Sequence, residues 1–383
     1  MRRKLVLLVV AVAIFLTWRF TRELNIYGIS EGFARPLRVS LPEWSPDLSA
    51  KKCGECHLAI YEEWQQTMHA QAWTDPYFQV DWVYDKKKQN CLNCHTPLEN
   101  QQPDLVLGFE DGDYWSPITE ENPQFDPELQ REGVTCAVCH VRDGKIVGPY
   151  GIEGAPHPVA YDPSMVSGLE VCRRCHVTPK ADEWGMTNIS LCGAVEEIGL
   201  GGNDPDCIGC HMAKVTRDLA PGYPEREGRR HLWQGGHTPS MVRKALRVDI
   251  EPLEATASRR GYVVKLTNVG TYHYLPTGTP DRNLVLNVEV LDREGRIAYE
   301  QNHKLIRRVI WRPIVIDWSD TRLPYQETSE YPFHFRYRKG RAPYSISVWV
   351  DYHLMEPWRQ RQIDYQPPEA ISYTVTRQAL EIR

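Results

Sequence analysis

Ten cysteines in this sequence fall into one spacing, repeated five times: Cys53-Gly-Glu-Cys56-His57, Cys91-Leu-Asn-Cys94-His95, Cys136-Ala-Val-Cys139-His140, Cys172-Arg-Arg-Cys175-His176 and Cys207-Ile-Gly-Cys210-His211. Two thiols separated by two residues can add to the two vinyl groups on one edge of a porphyrin. The histidine that follows directly then reaches the iron from beneath. Disulfides are the default for cysteines in an exported chain, and zinc also takes Cys and His, but neither demands a histidine after every second cysteine. Histidine fills 13 of 383 positions, so five such successions by chance have odds of about one in ten million. The spacing predicts five c-type haems. Cys53, Cys56, Cys91, Cys94, Cys136, Cys139, Cys172, Cys175, Cys207 and Cys210 attach them, and His57, His95, His140, His176 and His211 are the proximal iron ligands. The eleventh cysteine, Cys192, stands outside the pattern and reads as a buried or free thiol.

The far side of each iron decides what such a chain can do. A second His or Met closes the iron and favours electron transfer, whereas an open position permits substrate chemistry. Eight other histidines are available, and five are distal candidates by context. His69 follows the first motif in a helical stretch with Trp64, Met68 and Trp73 suited to packing on a porphyrin. His157 lies in Gly154-Ala-Pro-His-Pro between the third and fourth motifs, with Met165 as a weaker competitor. His231 and His237 flank Gly235-Gly236 soon after the last motif, where glycines permit close backbone approach to a flat ligand. His273 sits in Gly270-Thr-Tyr-His-Tyr-Leu-Pro-Thr-Gly278, in the following domain. His303, His334 and His353 fall on expected strands and read as ordinary histidines. Which candidate serves which haem is not legible.

The elements that must position these residues divide into three. The N-terminus carries Arg2, Arg3 and Lys4, then an apolar run from Leu5 to Trp18, the pattern of an export signal. Its length suits a signal-peptide core better than a full span, but a bulky, charged segment follows in place of a cleavage site. An uncleaved membrane anchor over 1–24 is therefore expected, with a cleaved signal as the alternative. Either puts the remainder outside the cytoplasm. Residues 25–242 form the pentahaem domain, loop-rich with few short helices, in which five apolar macrocycles supply the core and form a connected array. From 243 to 383 the pattern changes to period two, with strands over 246–250, 262–267, 284–291, 331–337, 345–350 and 371–375 and further strand between 297 and 311. That is an all-β, Ig-like sandwich. It holds no paired carboxylates, nucleophile–base arrangement or phosphate loop.

Charge excludes one class of partner. The formal net charge is −5, and the basic clusters at 86–88 and 226–230 are not interleaved with aromatics, so nucleic acid is not expected.

With these residues in view, the haem half resembles the multihaem cytochromes related to hydroxylamine oxidoreductase and its tetrahaem electron-acceptor cytochrome. The resemblance rests on Tyr61, Trp64 and His69-Ala70 after the first motif, on Gly133-Val-Thr before the third, and on Gly148-Pro149 ahead of His157. Met212 after the fifth motif and Gly235-Gly236-His237 also belong to it. The β half looks like the C-terminal extension of some such cytochromes, marked by Tyr274-Leu-Pro-Thr-Gly278 and Asp320-Thr-Arg-Leu323. The resemblance implies closely stacked haems, mainly bis-histidine ligation, and electron exchange with redox proteins or a quinol-oxidising membrane complex. Pentahaem nitrite reductases of the wider class use a proximal lysine at the catalytic haem, and all five motifs here end in histidine. The leading expectation is an extracytoplasmic electron-transfer protein, more a carrier than a catalyst. The alternatives are a haem enzyme with one open iron acting on a small nitrogen or sulfur compound, and a structural subunit of a larger haem assembly. In the last case His237 or His273 would ligate across a homo-oligomer.

Overall fold

The computed structural model describes residues 2–21, 31–40, 47–151, 155–176, 195–198, 206–256, 259–310, 316–336 and 342–382. Cys192 lies outside them. The chain divides into two compact units, one made of residues 1–190, 215–231 and 309–318, the other of 191–214, 232–308 and 319–383. This differs from a single cut after residue 242: the fifth cysteine motif falls with the β-rich unit. So does the helix Pro239–Ala245, which runs straight into the first strand of that unit and whose Arg243 donates from Nε to the Val375 carbonyl at 2.8 Å.

The first unit is built from short helices and small hairpins. Four of the five motifs lie here, and each is wound on or around a helical turn: Ala50–Gly54, Gln89–His95, Cys136–His140 and Leu169–His176. A turn of helix puts positions i, i+3 and i+4 on one face, so both sulfurs and the histidine ring of a motif share one side. Ser49 and Thr135 cap two of these turns, accepting from the backbone N–H of Lys52 and Ala137, both at 3.1 Å. The purely apolar core is small: Leu48, Leu98, Leu129, Ala137, Val138 and Val141. Buried amides complete it by donating to backbone carbonyls of the surrounding turns and loops. Gln101 Nε2 donates to Leu129 O (2.8 Å) and Gly133 O (2.7 Å), and Asn122 Nδ2 to Glu99 O and Gln102 O, both at 2.8 Å.

The N-terminal apolar run forms the helix Arg2–Thr21. Among the described residues no helix is long and apolar enough to cross a membrane. The run itself makes about 21 Å of helix, against a hydrocarbon core about 30 Å thick. The anchor expected over 1–24 thus finds no support in the structure.

Among the described residues eight strands lie wholly or in part in the second unit: β1 (Leu246–Pro252), β2 (Arg259–Asn268), β3 (Asn283–Asp292), β4 (Ile297–Ile310), β5 (Ile316–Asp320), β6 (Thr328–Arg336), β7 (Pro343–His353) and β8 (Ser372–Glu381). β5 and the last residues of β4 straddle the boundary of the contact division. The strands make a five-stranded sheet in the order β5-β4-β3-β7-β8 and a three-stranded sheet β6-β2-β1. The pairs β3–β4, β3–β7, β7–β8, β6–β2 and β1–β2 are antiparallel. One apolar core joins the two sheets, with Val248, Val264, Leu266 and Phe333 from the smaller and Leu284, Leu286, Val348 and Val350 from the larger. The alternation follows from side chains pointing to opposite faces of a strand. His303, His334 and His353 lie on β4, β6 and β7, as their period-two context indicated.

Candidate haem-binding site

Four of the five motif histidines have their ring Nδ1 against a backbone carbonyl. His57 faces Leu219 O at 2.7 Å, His95 faces Ala72 O at 2.7 Å, His140 faces Val147 O at 2.9 Å and His211 faces Gln234 O at 2.6 Å. A carbonyl only accepts, so Nδ1 carries the proton and Nε2 keeps its lone pair free. That is the tautomer a metal-binding imidazole needs. Burial reinforces it by disfavouring the charged ring. Burial pushes His95 down to about 4 and holds His140 below the usual histidine range.

Opposite four motif histidines stands a second histidine. Ring centroids are 6.2 Å apart for His57 and His157, for His69 and His176, and for His140 and His231, and 6.3 Å apart for His211 and His273. Two imidazoles bound through Nε2 to opposite faces of one metal, each at about 2.0–2.1 Å, put their ring centres about 6.3 Å apart. The residues present therefore fit a six-coordinate haem iron at four motifs. The first three pairs lie in the first unit and the fourth in the second. His231 and His273 share the tautomer as well, their Nδ1 atoms facing Arg229 O at 3.0 Å and Tyr274 O at 2.9 Å. Burial pushes His231 down to about 4.

The segments bearing the second histidines are held by contacts distant in sequence. The His69 carbonyl accepts from Val134 N at 2.9 Å, while Trp64 Nε1 donates to Val134 O at 2.9 Å. Gly133 makes this approach possible: its φ is +60°, and a Cβ there would stand 2.6 Å from the His69 carbonyl oxygen. Around His231, the buried Glu63 carboxylate accepts from Arg217, Arg230 and the His231 backbone N–H. Around His273, Glu197 accepts from Tyr274 N (3.0 Å) and Thr277 Oγ1 (2.7 Å) and pairs with Arg322. Arg322 also grips Asp320, and Leu275 and Leu323 exchange backbone hydrogen bonds at 2.9 and 3.0 Å. The stretches 274–278 and 320–323, singled out from the sequence, thus meet one another.

Two candidates stand apart. Within its own unit, among the described residues, no second histidine faces His95. The ring of Phe78 lies parallel to it instead, with centroids 3.6 Å apart and 9° between planes. His237 is exposed, and its Nε2 sits 3.2 Å from an Arg282 guanidinium nitrogen, while Tyr373 Oη donates to the carbonyl of the preceding Gly236 at 2.6 Å. The cysteines are also grouped. The thiol of Cys53 lies beside that of Cys136, and that of Cys94 beside that of Cys175, which puts the first motif next to the third and the second next to the fourth. Sequence reasoning missed Glu63, Glu197 and Arg217, and it marked Arg230 and Arg322 without their carboxylate partners. Nothing in the local sequence marks Glu63 beyond its place beside Trp64.

Known proteins bear on this geometry in two ways. Residues 52–113 match a family described as cytochrome c554 and c-prime. A penta-heme cytochrome c552 from Thermochromatium tepidum shares the fold with a TM-score of 0.67 at 20% identity, over 87% of this chain and 98% of that one. Solved structures such as a putative ApaA protein from Bordetella pertussis reach a TM-score of only 0.17, at 14% identity over 35% of this chain and 89% of that one, and carry no argument. Among curated proteins there is no match. The motifs, the family match over residues 52–113 and the shared fold support a multihaem c-type cytochrome. They support five c-type haems, with iron, as its cofactors.

Proposed function

We propose that this chain is an extracytoplasmic electron-transfer protein that relays electrons through five covalently bound haems, at least four of them closed by two histidines. The carrying observation is the set of four histidine pairs at 6.2 to 6.3 Å. On this reading His57, His140, His176 and His211 are proximal ligands and His157, His231, His69 and His273, in that order, complete the coordination. Closed irons exclude substrate and leave outer-sphere electron exchange, and bis-histidine ligation keeps potentials below those of His/Met haems. The thiol contacts between the first and third motifs, and between the second and fourth, support porphyrins close enough to pass electrons along. The protein's own part is to orient each imidazole through a backbone carbonyl and to exclude water from the ligand. The haem supplies the redox change. Redox proteins or a quinol-oxidising complex are the partners this chemistry fits, and the two sheets read as an Ig-like sandwich.

His95 favours a second reading for one haem. Among the described residues of its unit no second histidine stands opposite it, and an iron held there by His95 alone would offer a position of the kind that small nitrogen compounds occupy. Electron paramagnetic resonance of the oxidised holoprotein separates the two. The relay requires low-spin signals at the four paired haems. A high-spin signal that responds to nitrite or hydroxylamine would make one haem a candidate for catalysis, and high-spin iron at most sites would overturn the relay.

A further inference from the structure

We infer that Glu63 is a positioning residue for the haem of the third motif, holding His231 on its iron and lowering that haem's reduction potential. The inference rests on the proposed pairing of His140 with His231. Glu63 follows the first motif, on the helix Leu58–Gln65, and its side chain is only 10% exposed. Its carboxylate accepts four hydrogen bonds: 2.9 and 3.0 Å from the two arms of Arg217, 2.9 Å from Arg230 and 2.8 Å from the backbone N–H of His231. These use the acceptor capacity of both oxygens.

The arrangement fixes the second histidine twice over. Its backbone is bonded to Glu63 directly. Its ring is fixed through a relay, because Arg217 also donates to Arg229 O at 2.9 Å, the carbonyl that His231 Nδ1 faces. Glu63 therefore indexes both the main chain and the tautomer of a residue 168 positions away.

Charge gives the carboxylate a second effect. Two guanidinium groups converge on one carboxylate, a local excess of one positive charge; Arg217 and Glu63 are buried, where charges are weakly screened, while Arg230 is half-exposed and contributes less. Positive charge beside a haem favours the reduced form, which carries one positive charge fewer. Removing the carboxylate's negative charge leaves both arginines uncompensated and shifts the potential upward. A merely structural ion pair would alter stability and leave that haem's spectrum and potential in place.

The test uses the full-length holoprotein, with haem content measured first. His231→Met identifies the haem, since a methionine ligand raises the potential. Glu63→Gln, which keeps the shape and removes the charge, is expected to raise the midpoint of that same haem, leaving the other four unmoved and the iron low-spin. Glu63→Ala is expected to convert the same haem partly to high spin. If Glu63→Ala gives no folded protein, Glu63→Gln decides alone. An unchanged midpoint in Glu63→Gln, or a shift at a haem other than the one His231→Met moves, overturns the role of Glu63. If His231→Met moves no haem, the ligation itself falls and the role of Glu63 falls with it.

Discussion

Replacing Gly133 by alanine is the sharpest probe of how the first unit places a second histidine. The backbone there is left-handed, φ +60°, which costs an alanine about 1–2 kcal/mol. The new Cβ would also press on the His69 carbonyl at 2.6 Å and on Ala72 N at 3.0 Å. Both contacts are backbone, so the relief must come from moving the segment that carries His69. The hydrogen bond from Val134 N to His69 O is then weakened, worth about 1 kcal/mol, for a total of about 2–3 kcal/mol. Gly112 is the control. Its φ is +75° and nothing stands within 4 Å of its Cβ position, so Gly112→Ala carries only the backbone penalty. Denaturant unfolding of both holoprotein variants should show Gly133→Ala about 1 kcal/mol less stable than Gly112→Ala. Electron paramagnetic resonance should show the haem of His176 losing low-spin character in Gly133→Ala alone. If the two variants match in stability and spectrum, the argument that Gly133 seats His69 is wrong.

Other outcomes follow from the same contacts. Glu197→Ala strips a buried carboxylate from Arg322 and from the His273 loop; a stability loss of about 3 kcal/mol and high-spin character at the fifth-motif haem are expected, read by denaturation and resonance spectra. His157→Met and His273→Met should each raise one haem midpoint in a redox titration, and a different one in each case. Added imidazole should convert the His95 haem to low spin in the optical spectrum and leave the paired haems unchanged. Chain made in cells unable to attach haem should exchange amide hydrogens rapidly across the first unit, whose apolar cluster among the described residues holds only six buried side chains. Strands β3 and β7 should stay protected by their own core.

What the sequence revealed was what local chemistry dictates. A thioether-bound haem needs its two cysteines and its histidine within five positions, so candidates for both attachment and proximal ligation stood in plain view. Period-two alternation in a segment such as 284–291 marked β3 to within a residue at either end. Short β5 escaped, because Ile-Asp-Trp-Ser-Asp is too brief and too polar to declare a strand. Five second-histidine candidates were identifiable, and the structure brings four of them opposite a motif histidine while His237 meets Arg282 instead. Their assignment was not legible, since pairing is decided by long-range folding: His69 faces the fourth motif, not the first that it follows. The buried carboxylates escaped for the same reason. Glu63 and Glu197 acquire meaning only beside arginines far away in the chain.

That crossing of the chain bears on biogenesis. Thioether formation needs only a short pentapeptide, so each porphyrin can be stapled at its own motif before the rest of the chain has folded. The imidazoles that would cap the irons at His57, His140 and His211 are synthesised later than the motifs they serve. Only the iron at His176 finds its counterpart, His69, already made. On this ligation three nascent haems wait with one face bare, and the order in which those faces are covered sets when the maturing cytochrome stops being reactive toward stray small molecules.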